Sequence, residues 1–281
     1  MKLRTMWLHE NQLKPDNRPV ANTPWQQRIR RAERLAAQHS FAAEILGFYI
    51  HVARFQEGLY QRLERSSVTV TATSPLQPNW PELLASFPSF LALVEDQAPA
   101  SLAQVARDLR NAHPDSWSEL FTHCWSNTDT TTEAREFLAL AYLQPCAEFV
   151  RSRARLQSEG YTHPLCPFCN RKPALGILRP QGDGGRRSLL CGFCLAEWEF
   201  RRVVCPGCGL EDHAKLPVYT AEEMPYIRVE CCDACHTYIK SIDLTKNGLA
   251  EPIVDELASV PLNLWAQEHG YNKLYPNLFG M

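Results

Sequence analysis

CPFCNRKPALGILRPQGDGGRRSLLCGFCLAEWEFRRVVCPGCGLEDHAKLPVYTAEEMPYIRVECCDACHTYIK, residues 166–240, carries the strongest structural signal in the chain. It contains four Cys-x-x-Cys pairs, which are Cys166/Cys169, Cys191/Cys194, Cys205/Cys208 and Cys232/Cys235. One such turn directs two thiolates at a single point, and two turns supply the tetrahedral sulfur set that Zn²⁺ or a single iron ion prefers. The eight cysteines therefore predict two metal ions.

The segments between the pairs indicate which pairs combine. PALGILRP and RSLLC are typical of two strands joined by the turn-rich QGDGGR, and KLPVY and YIRVE are typical of two more strands around TAEEMP. Each hairpin brings its flanking cysteine pairs together, which favours pairing the first with the second and the third with the fourth. Cross-bracing stays open as an alternative, because only ten residues separate Cys194 from Cys205.

The other cysteines are expected to have no site role. Cys231 stands beside Cys232, but only Cys232 keeps the two-residue spacing to Cys235, so Cys231 is interpreted as a buried or reserve thiol. Cys124 and Cys146 lie on apolar stretches, where a small buried hydrophobe is the more common role. Disulfides and thioredoxin-like exchange are disfavoured, because the chain is expected in a reducing compartment and the pairs lie in hairpins rather than a βαβ unit.

The histidine and aromatic neighbours of the pairs are expected to support the metal sites without ligating the ions. Three histidines could ligate a metal in principle, but each competes with a cysteine set that is already complete: His163, His213 and His236. Three aromatic residues are expected to cover the metal shell with apolar surface: Phe168, Phe193 and Trp198.

The first half of the chain carries a helical pattern. Residues 1–23 are polar and proline-containing, which predicts an irregular arm. Thr23 and Pro24 form an N-cap and first helical position, and the helix that begins there is predicted to end near Ser66. Two further helices are predicted over 81–96 and 101–112, and a capping box at Thr130 and Glu133 precedes another.

These patterns give a two-part organisation. The predicted fold class is an N-terminal α-helical domain followed by two small β metal modules of the rubredoxin or zinc-ribbon kind. The predicted divisions are an arm at 1–23, a helical domain at 24–159, metal modules at 160–200 and 201–245, and a C-terminal helix and tail at 246–281.

Composition excludes several classes of protein. The chain has 281 residues, 45% of them hydrophobic, and a formal charge of −2, which is typical of an ordinary globular protein. No apolar run approaches the ~20 residues that cross a bilayer as a helix, so no membrane insertion is expected. The first residues show no secretory pattern, which predicts a cytoplasmic location.

The cysteine-containing segments resemble a known family. CPFCNRKP, RSLLCGFCLAEWEFRRVVCPGCG and ECCDACHTYIK are similar to segments of the formate dehydrogenase accessory protein (FdhE) family, and the similarity covers most of residues 160–281. The order of the four pairs, the Glu197-Trp198 step and the segment from Cys232 to Lys240 make it specific.

The resemblance implies a function and a site. It implies a non-enzymatic cytoplasmic factor that active formate dehydrogenase needs and that binds the catalytic subunit before export. It also implies two rubredoxin-like sites with iron favoured, although four thiolates allow zinc equally. The first site comprises Cys166, Cys169, Cys191 and Cys194, and the second comprises Cys205, Cys208, Cys232 and Cys235. His236 stands where the family leads us to expect glycine, which puts the local turn in question.

Three functions other than that of an accessory factor are compatible with four-cysteine sites. A rubredoxin-like electron carrier would need a reversible iron couple. A zinc ribbon that binds nucleic acid could use five arginines: Arg179, Arg186, Arg187, Arg201 and Arg202. Residues 160–240 nevertheless hold ten basic and nine acidic residues, a balance of +1 that disfavours nucleic acid as a partner. A general chaperone is disfavoured because its repeated Cys-x-x-Cys-x-Gly-x-Gly pattern is absent.

Overall fold

The structure is a computed structural model that describes residues 23–66, 83–126, 133–154, 160–182, 184–277 and 279–280. Three predictions therefore lie wholly or partly outside the described residues. They are the arm at 1–23, of which only Thr23 is described, the first two residues of the helix predicted from residue 81, and Thr130 of the capping box.

Two helices form where one continuous helix was predicted. Helix α1 spans Pro24–Gln38 and α2 spans Ala43–Arg65, with a single 3₁₀ turn between them. The predicted start is confirmed, since the Thr23 side chain accepts a hydrogen bond from the Gln26 amide at 3.2 Å. The prediction of one continuous helix was wrong, because His39 has an extended backbone conformation with φ −126°. The break lets α1 fold back so that both helices bury apolar residues in one cluster.

Four more helices lie wholly within the described residues of the first half. They are α3 (Phe87–Gln97), α4 (Ala100–Arg110), α5 (Pro114–Ser126) and α6 (Ala134–Arg153). Pro88 lies in the first turn of α3, where its missing N–H costs no helical hydrogen bond. Helix α5 was not among the predictions. Its buried residues pack with the aromatic core around Phe87 and Tyr142.

Helix α6 continues through Pro145. Proline cannot donate to the carbonyl four residues earlier, so the oxygen of Ala141 loses its helical partner. The Gln56 side chain replaces it, with its Nε2 donating to that oxygen at 2.6 Å. This buried hydrogen bond from α2 is what makes an interior proline tolerable in a core helix.

The second half folds around a single sheet of seven strands. The strands are β1 (Pro173–Gln181), β2 (Gly184–Cys191), β3 (Glu197–Glu199), β4 (Val218–Ala221), β5 (Met224–Cys232), β6 (Thr237–Asp243) and β7 (Asn272–Lys273). Both predicted hairpins, β1–β2 and β4–β5, are present as antiparallel pairs. The sheet order is β3-β2-β1-β6-β5-β4, with β7 paired to β6.

The two cysteine-containing modules are joined through the sheet. Strand β6 pairs antiparallel with β5 and parallel with β1, so it connects the second hairpin to the first. Gly176 of β1 lies opposite Ser241 of β6 at this junction. The predicted fold class is confirmed, with a helical region followed by a β region, and the two modules share one sheet. The domain bounds given above remain predictions.

Gly176→Ala is expected to destabilise the protein by about 1–3 kcal/mol through overpacking at the β1–β6 junction. A Cβ at Gly176 would come closer to Ser241 Oγ than real Cβ atoms come, and Ser241 Cβ would lie 3.2 Å away. Ser241→Gly in the same chain should restore much of the loss. Chemical denaturation of both single variants and the double variant measures the coupling. Equal losses with and without Ser241→Gly would contradict this packing.

The C-terminal helices connect the two halves. Helix α7 spans Pro252–Ala258 and α8 spans Val260–Glu268. Asp255 of α7 accepts from the Arg31 guanidinium of α1 at 2.5 and 3.0 Å, and from the Tyr226 hydroxyl of β5 at 2.8 Å. The tail therefore packs on the sheet and also on the first two helices. In the described part of the chain, no helix combines the length and apolar character needed to cross a bilayer.

Candidate metal centres

The eight predicted cysteines come together as two groups of four. The first group contains the cysteines at 166, 169, 191 and 194, the second those at 205, 208, 232 and 235, and all sulfurs within a group lie within 4.8 Å of one another. The grouping is the sequential one, not the cross-braced one. The closest sulfur pairs are 3.4–3.5 Å apart in the first group and 3.7 Å apart in the second.

These separations fit a metal ion. A tetrahedral ion with metal–sulfur bonds of about 2.3 Å places its sulfurs about 3.8 Å apart. All eleven cysteines are free thiols, so no disulfide occupies either group. Each group offers four sulfur ligands and could hold one metal ion. A closed four-sulfur site leaves no open position for water, which suits structural or one-electron roles rather than hydrolysis.

The turns that present the cysteines share one backbone geometry. In three of the four turns, the amide two residues after the first cysteine donates to its sulfur at 3.3–3.4 Å. The residue after the second cysteine has positive φ in all four turns: Asn170 at 59°, Leu195 at 56°, Gly209 at 79° and His236 at 53°. His236 thus adopts the left-handed conformation of the other three, so the missing glycine does not alter the turn.

The thiols of each group titrate together. Hydrogen bonds from the other three thiols lower the pKa of Cys169. Burial raises the pKa of Cys235, but hydrogen bonds from Thr237 and the neighbouring cysteines outweigh it and lower the pKa to about 7. Burial raises the pKa of Cys191 and that of Cys205, the latter to about 12. Each group therefore favours thiolate character even before a cation is considered.

The remaining cysteines lie apart from both groups. Cys124, Cys146 and Cys231 are buried, with exposed fractions of 4%, 1% and 3%. Burial raises the pKa of Cys124 and of Cys231 to about 12 and raises that of Cys146 as well. Protonated buried thiols behave as small hydrophobic side chains, in agreement with the roles predicted for them.

The first group is buried against the helical region. Cys191 and Cys194 are fully buried and belong to the same core cluster as the aromatic residues of α3 and α6. Gln144 Nε2 donates to the Gly192 carbonyl at 2.7 Å, and Arg151 Nε donates to the Cys194 carbonyl at 3.0 Å. Helix α6 therefore forms two hydrogen bonds to the backbone of the second cysteine turn.

Arg171 connects the first cysteine turn to helix α5, because its own carbonyl accepts from the Cys166 amide. It is 1% exposed, and it donates to the Cys124 carbonyl of α5 at 2.5 Å. Its guanidinium also lies 3.9 Å from the ring centroid of Phe193. The sequence reasoning missed Gln144, Arg151 and Arg171. Only Arg171 carried a signal, as a basic residue two positions after a cysteine pair.

Two of the predicted aromatic residues cover the first group closely. Phe193 is 5% exposed and packs edge-on against Trp125 at 5.5 Å. Trp198 is 2% exposed and donates through Nε1 to the His163 carbonyl at 2.9 Å. Phe168 is only partly buried. This apolar cover limits the access of water to the sulfurs.

The second group lies at the surface. Cys208 is exposed and Cys235 is half-buried, whereas Cys205 and Cys232 are buried. The Thr237 hydroxyl lies 3.0 Å from Cys235 Sγ. None of the three histidines considered in the sequence analysis belongs to either group, and all three are exposed. The prediction that they are not needed as ligands agrees with this placement.

The arginines proposed for phosphate contact are mostly engaged with carboxylates. Four of the five form ion pairs, which are Arg179–Glu197, Arg186–Glu199, Arg187–Glu230 and Arg201–Glu211. Arg202 makes no ion pair within the described residues. A row of arginines already paired with glutamates is a poor phosphate-binding surface, which disfavours the nucleic-acid alternative.

Cys232→Ser is expected to remove one bound metal ion per chain, whereas Cys231→Ser should keep both. Only the sulfur of Cys232 lies within the second group, because neighbouring residues of β5 point to opposite faces of the sheet. Metal analysis of the two purified variants by plasma mass spectrometry checks this. Metal loss in Cys231→Ser with full occupancy in Cys232→Ser would show that the ligand assignment is wrong by one residue.

Comparison with known proteins agrees with these features. The model for "FdhE, central domain" matches residues 165–202, and that for "FdhE, C-terminal domain" matches residues 203–279. This part of the chain belongs to the FdhE family. An FdhE homolog of Aquifex aeolicus is 28% identical over 251 residues, covering 84% of this chain and 88% of the relative. One from Haemophilus influenzae is 26% identical, covering 91% and 87%.

The overall fold has an experimental counterpart. The crystal structure of the FdhE protein from Pseudomonas aeruginosa superposes with a TM-score of 0.69 at 23% identity, covering 93% of this chain and 96% of that one. This likeness shows a shared fold of helical and sheet regions. The FdhE family consists of accessory, non-catalytic proteins, so the expectation that this chain is not an enzyme is confirmed.

Proposed function

We propose that this chain is a maturation factor that binds the catalytic subunit of formate dehydrogenase and carries one metal ion in each four-cysteine group. The observation that carries the proposal is the pair of closed four-sulfur sites in an FdhE-family fold. The chain would act by protein binding, with the metal sites holding the binding surfaces in place. The FdhE family points to formate dehydrogenase as the enzyme served.

The proposed ligands are the eight cysteines of the two groups, and iron is the proposed metal. Four thiolates at these separations suit iron and zinc alike. The choice of iron rests on the family resemblance. Iron would supply one-electron chemistry when bound. Zinc would supply only structural support. Anaerobic purification followed by metal analysis and visible absorption distinguishes them, since iron bound by four thiolates is coloured and zinc is not.

A reducing compartment is part of the proposal. Cys208 is exposed and Cys235 is half-buried, so oxidation would threaten the second group in an oxidising environment. A cytoplasmic factor that meets the catalytic subunit before export is compatible with free thiols at the surface.

Binding of the purified proteins tests the proposal directly. The chain, purified anaerobically, is immobilised and exposed to the purified catalytic subunit of formate dehydrogenase, with an unrelated molybdenum enzyme as the control. We expect saturable binding to the catalytic subunit alone. Equal binding to both proteins, or to neither, would contradict the proposed partner.

The surface position of the second group favours one other function, that of an electron carrier. Electron transfer needs a ligand edge near the surface, and Cys208 supplies one. An anaerobic redox titration of the iron-loaded chain separates the two functions. A reversible iron couple together with normal formate dehydrogenase maturation in cells lacking the chain would favour the carrier.

A further inference from the structure

A cavity of about 390 Å³ lies beside the second cysteine group. Strands β5 and β6 line it, together with the loop at 202–206 that leads into the third cysteine turn. Its volume lies within the range of protein ligand sites. Cys205 and Cys232 are among the lining residues, but the charged residues of the cavity belong to neither metal group.

The cavity has an excess of positive charge. The residues that line it include three arginines and one glutamate, which are Arg187, Arg202, Arg228 and Glu230. Arg187 engages that carboxylate, with 2.7 Å between its Nη2 and Glu230 Oε2. Arg228 Nε lies 3.7 Å from the other carboxylate oxygen, too far for a hydrogen bond. Arg202 is exposed and has no ion-pair partner within the residues described.

Two buried donors of this cluster lack acceptors. The Nε atoms of Arg187 and Arg228 are buried and have no hydrogen-bond partner in the described part of the chain. Buried donors are normally paired, and an unpaired one is a sign of a missing ligand or solvent molecule. A carboxylate is the group that pairs best with guanidinium, because its two oxygens match the fork of donors.

The rim of the cavity is apolar and adjoins a sheet edge. Val203 and Val218 both line it, and they are 50% and 45% exposed. Val218 begins β4, the last strand in the sheet order, so among the described residues no strand pairs with the outer side of β4. An extended peptide suits such an edge, since its backbone can pair with the strand while its side chains enter the neighbouring cavity.

We propose that this cavity is the docking site for an acidic peptide segment of the partner protein. One carboxylate enters between Arg202 and Arg228, and adjacent apolar side chains contact Val203 and Val218. The proposal deepens the proposed function and rests on it, because it assigns a surface and a segment chemistry to the binding of the catalytic subunit.

Charge reversal at Arg202 tests the docking site against a matched control. Arg201→Glu makes the same change one residue away, at an exposed arginine outside the cavity. Affinity for the purified catalytic subunit is measured by biolayer interferometry at low and moderate salt, after metal content and thermal unfolding have shown each variant to be intact. We expect at least tenfold weaker binding for Arg202→Glu and a change of no more than about twofold for Arg201→Glu.

The outcomes separate this inference from the proposed function. If the unaltered chain fails to bind the catalytic subunit, the proposed function fails and the docking site fails with it. If the unaltered chain binds the catalytic subunit and Arg202→Glu binds it equally well, the proposed partner is supported and the proposed docking site is wrong. Equal weakening by Arg201→Glu would indicate general charge attraction and would also overturn the site.

Crosslinking tests the chemistry of the segment. A benzophenone amino acid replaces Val203, whose exposure gives it room, and the crosslinked peptide of the catalytic subunit is identified by mass spectrometry. A peptide with aspartate or glutamate next to apolar residues would support the proposal. A basic peptide, or a crosslink only to a second copy of this chain, would overturn it.

Discussion

Cys194→Ser is expected to abolish metal binding in the first group and to unfold the sheet around it. The four sulfurs of this group are largely buried, and Cys194 is fully so, within the core shared with the helices. A structural four-thiolate site can contribute on the order of 10 kcal/mol to folding, which is comparable to the whole stability of a typical domain. The variant should retain at most one metal ion per chain and lose formate dehydrogenase maturation.

Cys146→Ser is the matched control for that variant. Cys146 lies in the same core cluster and is 1% exposed, but its sulfur belongs to neither group. Burying a hydroxyl there should cost about 1–3 kcal/mol and leave both metals in place. Metal analysis and circular dichroism on both variants distinguish ligand loss from core damage. Two metal ions in folded Cys194→Ser would refute the first site.

Glu256→Gln is expected to destabilise the protein by about 3–5 kcal/mol at neutral pH, because it leaves a buried cation without its counter-ion. Glu256 is 1% exposed, and its Oε1 lies 3.0 Å from Lys240 Nζ and accepts from Lys273. Asn277 donates to the other oxygen at 2.6 Å. Lys240 is completely buried, so no water can replace the lost carboxylate.

The pH dependence of stability follows from the same cluster. Burial raises the pKa of Glu256, but Lys240 and Lys273 outweigh it and lower the pKa from 4.5 to about 2. The depressed pKa contributes stability that is present above about pH 4.5 and is lost as the pH falls toward 2. Burial lowers the pKa of Lys240 from 10.5 to about 8, so stability rises as the pH increases between those values.

Urea denaturation at several pH values checks both effects. Glu256→Gln should lose the acid-dependent component below pH 4.5 and should regain stability when the pH is raised from 7 to 9, as Lys240 deprotonates. Glu268→Gln, an exposed change on α8, should stay within about 0.5 kcal/mol of the unaltered chain. Identical pH profiles for Glu256→Gln and Glu268→Gln would show that the buried pair does not stabilise the fold.

Local patterns predicted the parts of the structure that depend on neighbours in sequence. The cap at Thr23, both hairpins and the sequential grouping of the cysteines are confirmed, because each is specified within about 30 residues. Helix α5 also carried a local signal that was overlooked, since Trp117, Leu120, Phe121 and Cys124 recur at helical spacing.

Long-range contacts account for what the sequence could not reveal. The parallel pairing of β6 with β1 joins segments more than 60 residues apart, and no turn between them specifies it. The break at His39 is fixed by packing against α7, far along the chain. The hydrogen bonds from Gln144 and Arg151 to the second cysteine turn have backbone carbonyl groups as acceptors. No side-chain pattern in the sequence indicates such acceptors.

We propose that formate dehydrogenase needs this chain to become active. The most direct measurement is formate dehydrogenase activity, with the abundance of the catalytic subunit, in cells lacking the chain and in cells with it restored. We predict that activity is lost without the chain, returns with it, and does so at unchanged subunit abundance. Full activity in the cells that lack the chain would contradict the claim.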